Sequence, residues 1–438
     1  MIGLRTKGRV QDTFLIHPLC VLCASAVNNP GLPARHRGAR MTLEETTVQF
    51  HSSISDLENS DEAVEQVIED ARDAIDGADV VFAFFTPHHR DQAARIIEKL
   101  WLELDPQCAA GCVAEGVIGG DREIERQPGL ALLVGSLPGA RLHPFHIAGK
   151  SQWNDLIEDP DELRDRIGIG EETRAVIGFG DPFSTPLDGF LPALDAAAPG
   201  VPLIGGMASG GLAPGLNVLA RNDEIFEEGF VGISLSGPLD VQTIVSQGSR
   251  PIGRPLVITR SHDNVIEQLG GRPAVEALRE IVTGLSESDQ HLLQHGLLIG
   301  RAISEYRETF SRGDFLVRNI IGMDDQTGAI AMADYIRTGQ TIQFHARDAA
   351  TASEELAALL EPQTKIRPPA GALLFSCNGR GTRLFDAPCH DIEATRRAMP
   401  NTPVAGFFAA GEFGPVGGKN FIHGHTASFA LLRSAAGR

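Results

Sequence analysis

Cysteine is scarce in this chain of 438 residues, with six in all: Cys20, Cys23, Cys108, Cys112, Cys377 and Cys389. Six over such a length cannot form a disulfide framework, and they read as reduced thiols in a cytosolic protein. Long apolar runs are also missing. The nearest, Phe14 to Val27, falls short of the ~20 residues of a membrane helix and contains His17 and Pro18. Positive charge is in deficit, with 38 Lys and Arg against 57 Asp and Glu for a net charge of −19, so a nucleic-acid backbone would be repelled. Neither GxGxxG nor GxxxxGK[ST] follows any apolar strand pattern, which removes the two common nucleotide-phosphate loops. Glycine at 48 and proline at 26 stay below the level of a disordered chain, and 42% hydrophobic content suits a soluble globular protein of two or three domains.

Composition changes abruptly at Met41. Residues 1–40 hold Arg5, Lys7, Arg9, Arg35, Arg37 and Arg40 against the single acid Asp12, so the remainder is more acidic than the total. The segment reads as a disordered leader or as a misassigned start with translation beginning at Met41. A secretory signal is the competing reading, with Ala24-Ser25-Ala26 as its small-residue site and Pro18 against it. Cys20-x-x-Cys23 has no second pair for a zinc or redox role.

Internal repetition is the main positive signal. An apolar strand pattern at Val80–Phe85 leads through a helical stretch to Gly111-Cys112-Val113-Ala114-Glu115-Gly116 and a second strand pattern at Leu130–Ser136. The order recurs from Ala175–Gly180 through Gly205-Gly206-Met207-Ala208-Ser209-Gly210 to Phe230–Leu235. It recurs again from Ala372–Ser376 through a helix over Asp391–Met399 and Gly406-Phe407-Phe408-Ala409-Ala410-Gly411 to Thr426–Leu432. All three copies carry Gly-x-x-Ala-x-Gly, and 31, 29 and 33 residues separate Val80, Val176 and Leu373 from its first glycine. Each glycine is expected to allow a positive φ or a close backbone approach. The predicted fold is α/β, with mixed sheets built from strand, helix, strand, glycine turn and strand in two related halves. Between the second and third copies, Val241–Gly248, Leu256–Thr259, Asp314–Met323, Ala329–Met332 and Gln340–His345 read as strands. Val265–Val282 reads as a helix turning at Gly270-Gly271, Asp324–Gly328 as a hairpin turn, and residues 361–370 as a connector.

Gly313-Asp314-Phe315-Leu316-Val317-Arg318-Asn319, Gly339–Ala349, Phe375-Ser376-Cys377-Asn378-Gly379-Arg380-Gly381 and Val404–Pro415 closely resemble the C-terminal part of FIST domain proteins. Gly116–Gly120 and Arg250–Gly253 resemble the N-terminal part. The resemblance spans nearly everything from Met41 and implies a FIST N-terminal domain over 41–250 and a C-terminal domain over 251–438. It implies a small-ligand sensory domain in bacterial signalling, with amino acids as suggested ligands. Neither a cofactor nor a metal is expected. No kinase, cyclase or receptor output module is legible, so a separate signalling protein is the expected partner.

Ligands of α/β sheets collect at the carboxyl ends of strands. There, Cys377, Asn378, Gly379 and Arg380 form the most suggestive loop, with outward backbone N–H groups and a guanidinium fork for a carboxylate. Gly411, Glu412 and Gly414 open a glycine-rich loop running to Asn420 that would serve as an anion nest. Arg380 or Arg318 would hold an amino acid's carboxylate and Glu412 its ammonium. Arg318 and Asn319 read equally as an internal polar bridge between strands, and Glu412 as a partner of Lys419. Cys377 as a nucleophile served by His390 or His423 is the enzyme alternative, and a protein-interaction adaptor is the other. His423-x-His425 would put two imidazoles on one face of a strand, but histidine is scattered through the chain and a metal pair is not expected.

Overall fold

The computed structural model describes residues 47–293, 296–306, 309–310 and 313–435. The leader, Cys20 and Cys23 lie outside the described residues.

Three modules of the same construction make up most of the described chain. Each has a leading strand: Gln49–Ser55, Arg141–Ile147 and Leu239–Ser246. Each has a first central strand, Val80–Phe85, Thr173–Gly180 and Gly371–Cys377, and a parallel second one, Cys108–Val113, Leu203–Met207 and Val404–Ala409. Each then forms a hairpin, Gly116–Glu125, Leu219–Phe226 and Glu412–His423, and ends in a closing strand, Leu130–Ser136, Phe230–Ser236 and Ala427–Ser434. Helices link the strands, as the apolar faces and caps of the sequence require. In the helix Ser60–Ala74, Ala63, Val64, Val67, Ile68 and Ala71 are buried on one side, and Asn59 accepts the free N–H groups of Asp61 and Glu62.

Each sheet has the order leading, closing, first and second strand, followed by a hairpin borrowed from another module. The first module's sheet takes the hairpin of the second, the second takes that of the third, and the third takes that of the first. The exchange therefore closes in a ring. At its centre, Phe84, Phe179 and Phe375 occupy the same position in the three first strands and meet with ring centroids 5.3 to 6.2 Å apart, with Phe407 5.0 Å from Phe84. Contacts of this kind contribute about 0.5–1.5 kcal/mol each beyond simple burial.

The glycine signature has a steric cause. Gly111, Gly205 and Gly406 lie opposite Ala83, Gly178 and Leu374 across the parallel pairs. A Cβ on any of them would stand 2.0, 1.8 or 1.7 Å from the facing carbonyl oxygen. Close approach is the reason all three copies share that glycine.

A seven-stranded antiparallel sheet is inserted in the third module between its leading strand and the helix Ala349–Leu360. Its long bulged strand Ser249–His262 pairs with Thr341–Arg347 on one side and with Val265–Leu269 on the other, so the sheet curls back on itself. Leu256, Ile258, Ile299, Ile342 and Phe344 pack inside it with Val275 and Leu278 of the helix Ala274–Thr283. The expected helix over Val265–Val282 is corrected here. Its first five residues form a strand, because Gly270 and Gly271 turn the chain with positive φ before the helix begins at Ala274.

Candidate functional site

The first central strands of the three modules end at the equivalent residues Thr86, Asp181 and Cys377. In each case the backbone N–H at this position bonds to a carbonyl just ahead of the closing strand: Gly129, Gly229 and Thr426. From this shared anchor the three ends diverge.

At Thr86 the hydroxyl accepts the Gly129 N–H at 3.0 Å and the site is sealed. At Asp181 the carboxylate takes the Ser184 hydroxyl at 2.6 Å and the Phe183 N–H at 3.2 Å on one oxygen, and the Asn217 amide at 2.9 Å on the other. The Cys377 end opens into a cleft of about 350 Å³. Cys377, Asn378 and Gly379 line one wall, Gly411 and His423 to His425 another, and Arg318 and Asn319 reach in from the inserted sheet. Of the nine residues expected at the site, six line the cleft: Arg318, Asn319, Cys377, Asn378, Gly379 and Gly411.

Arg380 does not line it. Its Nε and Nη2 bind Asp391 at 2.8 and 2.7 Å, its third nitrogen approaches the His425 carbonyl at 3.4 Å, and the ring of Phe385 lies 5.2 Å from its guanidinium carbon. The fork expected for a ligand carboxylate is thus spent inside the protein, where both partners are fully buried. Burial opposes charge on Asp391, but Arg380 outweighs it and holds the carboxyl well below the usual range.

The expected outward N–H groups of the loop are also corrected. Asn378 donates to the Ala409 carbonyl at 2.8 Å and Gly379 to Cys377 Sγ at 3.5 Å, while the loop's carbonyls face Arg383 and Arg347. Nor do Gly411 to Asn420 make an anion nest. They form a hairpin turning at Gly417 and Gly418, both with positive φ, and a Cβ on Gly414 would stand 2.5 Å from Val245. Glu412 is paired neither with Lys419 nor with solvent. It is fully buried behind Cys377, accepts the Thr426 N–H at 3.3 Å through Oε2, and leaves Oε1 without a partner. Burial pushes its carboxyl well above the usual range, which disfavours the charge an ammonium partner needs, and it does not line the cleft.

The two histidines that could serve Cys377 as bases are engaged. His390 sits between Asp391 at 2.9 Å and Ser353 at 2.7 Å, and His423 Nε2 bonds to the Gly414 carbonyl at 3.0 Å. Burial, first, and Glu412, second, push the Cys377 thiol up to about 12. His425 is held by Asn319 at 3.0 Å and its Nδ1 has no partner. No group of three or more His, Cys, Asp or Glu residues able to hold a metal occurs among the described residues.

Arg318 is the common element of the region. It lines this cleft and two neighbours of about 600 and 380 Å³. Its Nε lies 3.6 Å from Asp334, whose carboxylate is already bound by Arg301 at 3.0 Å. One carboxylate is therefore shared by two guanidiniums, and burial lowers the pKa of Arg318. Asp188 lines the neighbouring clefts and is exposed. Sequence reasoning missed Asp334, Arg301 and Asp188, and only Arg301, a charge within the apolar strand Leu297–Ala302, offered a signal.

Comparison with known proteins gives a consistent picture. The model of the FIST N domain matches residues 79–272 and that of the FIST C domain residues 274–415. The chain belongs to the FIST family. FIST domains are sensory domains linked to signal transduction and small-ligand binding. The chain is 37% identical over 359 residues to an uncharacterized protein of Mycobacterium tuberculosis, an alignment covering 78% of this chain and 88% of the relative. A Mycobacterium bovis protein, also uncharacterized, is 36% identical over 347 residues with the same coverage. Among solved structures, the cyanuric acid hydrolase of A. caulinodans aligns over 89% of this chain and 100% of its own, at 9% identity and a TM-score of 0.33, a likeness that carries no argument. No helix among the described residues is long and apolar enough to cross a membrane.

Proposed function

We propose that this FIST protein is a cytoplasmic sensor that binds a small carboxylate-bearing metabolite, an amino acid or a relative of one, in the cleft between the Cys377–Gly379 loop and the strand Phe315–Asp324. The observation that carries the reading is the unequal charge around Arg318. Two arginines share the single carboxylate of Asp334, which leaves Arg318 a half-satisfied, desolvated cation facing space. A ligand carboxylate would complete it with a charge-assisted hydrogen bond. Exposed Asp188, which lines the two neighbouring clefts that Arg318 also reaches, suits an ammonium group. This assignment keeps Arg318 as the carboxylate residue and moves the ammonium from Glu412 to Asp188.

Under this reading the C-terminal domain, taken as residues 251–438, supplies every lining residue of the central cleft. The N-terminal domain, taken as 41–250, contributes Asp188 at the rim. The signal would pass to a separate protein through a change in how the inserted sheet sits against the Cys377 loop.

A thermal-shift screen of amino acids and related acids, followed by calorimetry on the hits, tests the reading. Arg318→Ala should weaken a true ligand by about tenfold to a hundredfold, the loss of one charge-assisted bond. A hit whose affinity survives Arg318→Ala places the site elsewhere.

A further inference from the structure

A second constellation lies outside the carboxylate cleft, where the helices Ala349–Leu360 and His390–Ala398 meet. We propose that Ser353, His390 and Asp391 form a serine-hydrolase triad that cleaves a small carboxylic ester, with Ser353 as nucleophile, His390 as its base and Asp391 positioning the imidazole. The proposal goes beyond the sensor reading and does not depend on Arg318.

The three groups form an unbroken chain. Ser353 Oγ lies 2.7 Å from His390 Nε2, and His390 Nδ1 lies 2.9 Å from Asp391 Oδ1. Asp391 is buried among donors, with Arg380 Nε and Nη2 at 2.8 and 2.7 Å and the Ser376 hydroxyl at 2.6 Å, so its carboxylate only accepts. The proton between it and the imidazole therefore sits on Nδ1, which turns the Nε2 lone pair toward the Ser353 hydroxyl. That is the tautomer a general base needs. Phe385 fixes the ring further, stacked on it with centroids 3.4 Å apart and 7° between the planes. Cys389, the residue before it, is held at a φ of +62°, a strained conformation for a side chain of this kind. Beside the Ser353 hydroxyl stands a second acceptor, the Ala349 carbonyl at 2.8 Å. Room for a substrate adjoins the pair. A cleft of about 370 Å³ is walled by Ala349 and by Phe385, the residues that touch Ser353 and His390. Leu292, Leu384 and Phe385 give it apolar surface for a short acyl chain. Arg347 lines it as well. Its Nη2 donates to the Gly379 carbonyl and its Nε has no partner, an N–H for the charge that develops on an ester's carbonyl oxygen. Ser353 is half-buried and the His390 side chain is 19% exposed, so neither is sealed inside the protein.

The reaction balances with water as the only co-reactant. Ser353 Oγ forms a bond to the acyl carbon while its proton passes to His390 Nε2. The tetrahedral adduct then breaks its bond to the alcohol oxygen, which leaves with that proton. Water attacks the acyl-serine, His390 again takes the proton, and Ser353 recovers it as the acid departs. Nothing is oxidised or reduced. Arg380 shares the Asp391 carboxylate and so weakens its pull on the imidazolium, which predicts slow turnover. With an activated ester, whose leaving group needs little help, release of the acyl group becomes the slow step and acyl-Ser353 accumulates.

The full chain treated with a fluorophosphonate probe and, separately, with para-nitrophenyl acetate tests the proposal. Peptide mass spectrometry should find the probe on Ser353, and the ester should give a burst of nitrophenolate with an acetyl group on the same residue. Ser353→Ala should abolish both. His390→Gln, which keeps the serine, should slow its labelling by about a hundredfold or more, the share of a lost general base. Wild-type protein that carries neither probe nor acetyl on Ser353 overturns the proposal, and this reading needs no variant to fold. Labelling undiminished in His390→Gln overturns it too, as does ester cleavage that Ser353→Ala leaves unchanged.

Discussion

The ends of the second and third modules are built on the same frame and finished in opposite ways. Asp181 and Cys377 stand at the ends of equivalent strands and share the same backbone anchor, yet Asp181 is closed by Ser184, Phe183 and Asn217, whereas the Cys377 end faces a cleft lined by His425, whose Nδ1 is unpaired. A self-satisfied polar cluster stabilises a loop, and an unsatisfied one at a cleft marks where a further group is wanted. The inserted sheet explains the asymmetry, because only the third module carries it, and it brings Arg318 and Asn319 over the open end.

The frame that makes this comparison meaningful can be broken directly. Gly406→Ala would place a methyl group 1.7 Å from the Leu374 carbonyl oxygen, and we expect a loss of more than about 4 kcal/mol in denaturant unfolding. Gly111→Ala and Gly205→Ala should cost as much, and a mild effect at any one of the three would show that its module is not equivalent to the others. A smaller effect separates the two ends. Asp181→Ala removes the acceptor of the buried Asn217 amide N–H and of the Ser184 hydroxyl and should cost about 1–3 kcal/mol. Cys377→Ala should cost about 1 kcal/mol or less, since it removes one small buried group that makes only weak sulfur contacts. Equal costs at the two positions would contradict the contrast between a closed and an open end.

The gentlest test uses pH. Glu123, on the hairpin that the first module lends to the third, is pushed up to about 8, chiefly by burial and next by Asp391. Its folded-state pKa is raised above the ordinary value of 4.5, so its contribution is fully present below about pH 4.5 and is lost as pH climbs through 8. Unfolding midpoints measured from pH 5 to pH 8.5 should decline, and Glu123→Gln should flatten that decline. An unchanged slope would remove Glu123 from the ionisation balance of the third module.

Much of this was legible in the sequence because its causes are local. The three copies of Gly-x-x-Ala-x-Gly show through, since a parallel strand pair demands glycine at a fixed spacing, and the cleft residues Cys377 to Gly379 sit where strand ends predict. What stayed hidden depends on distant partners. Nothing near Arg380 announces that Asp391 will take its fork, and nothing near Arg318 announces Arg301 and Asp334. Val265 to Leu269 resembled the start of a helix because short apolar runs fit either period, and only its pairing with Ala329–Met332 and Ser249–His262 settles it as a strand. The hairpin exchange was equally invisible, because a hairpin's sequence does not say whose edge it will join.

That exchange also sets a timetable for synthesis. The hairpin of the first module emerges from the ribosome early, yet the strand edge it covers belongs to residues 404–409, and the Glu123 carboxyl on it caps an N–H 269 residues further along the chain. Until the last module has been made, the newborn chain carries an unpaired two-stranded ribbon and an incomplete ring. Assembly of this protein is therefore gated by its C-terminal end, and a chain cut short there loses the partner of its first module along with the cleft.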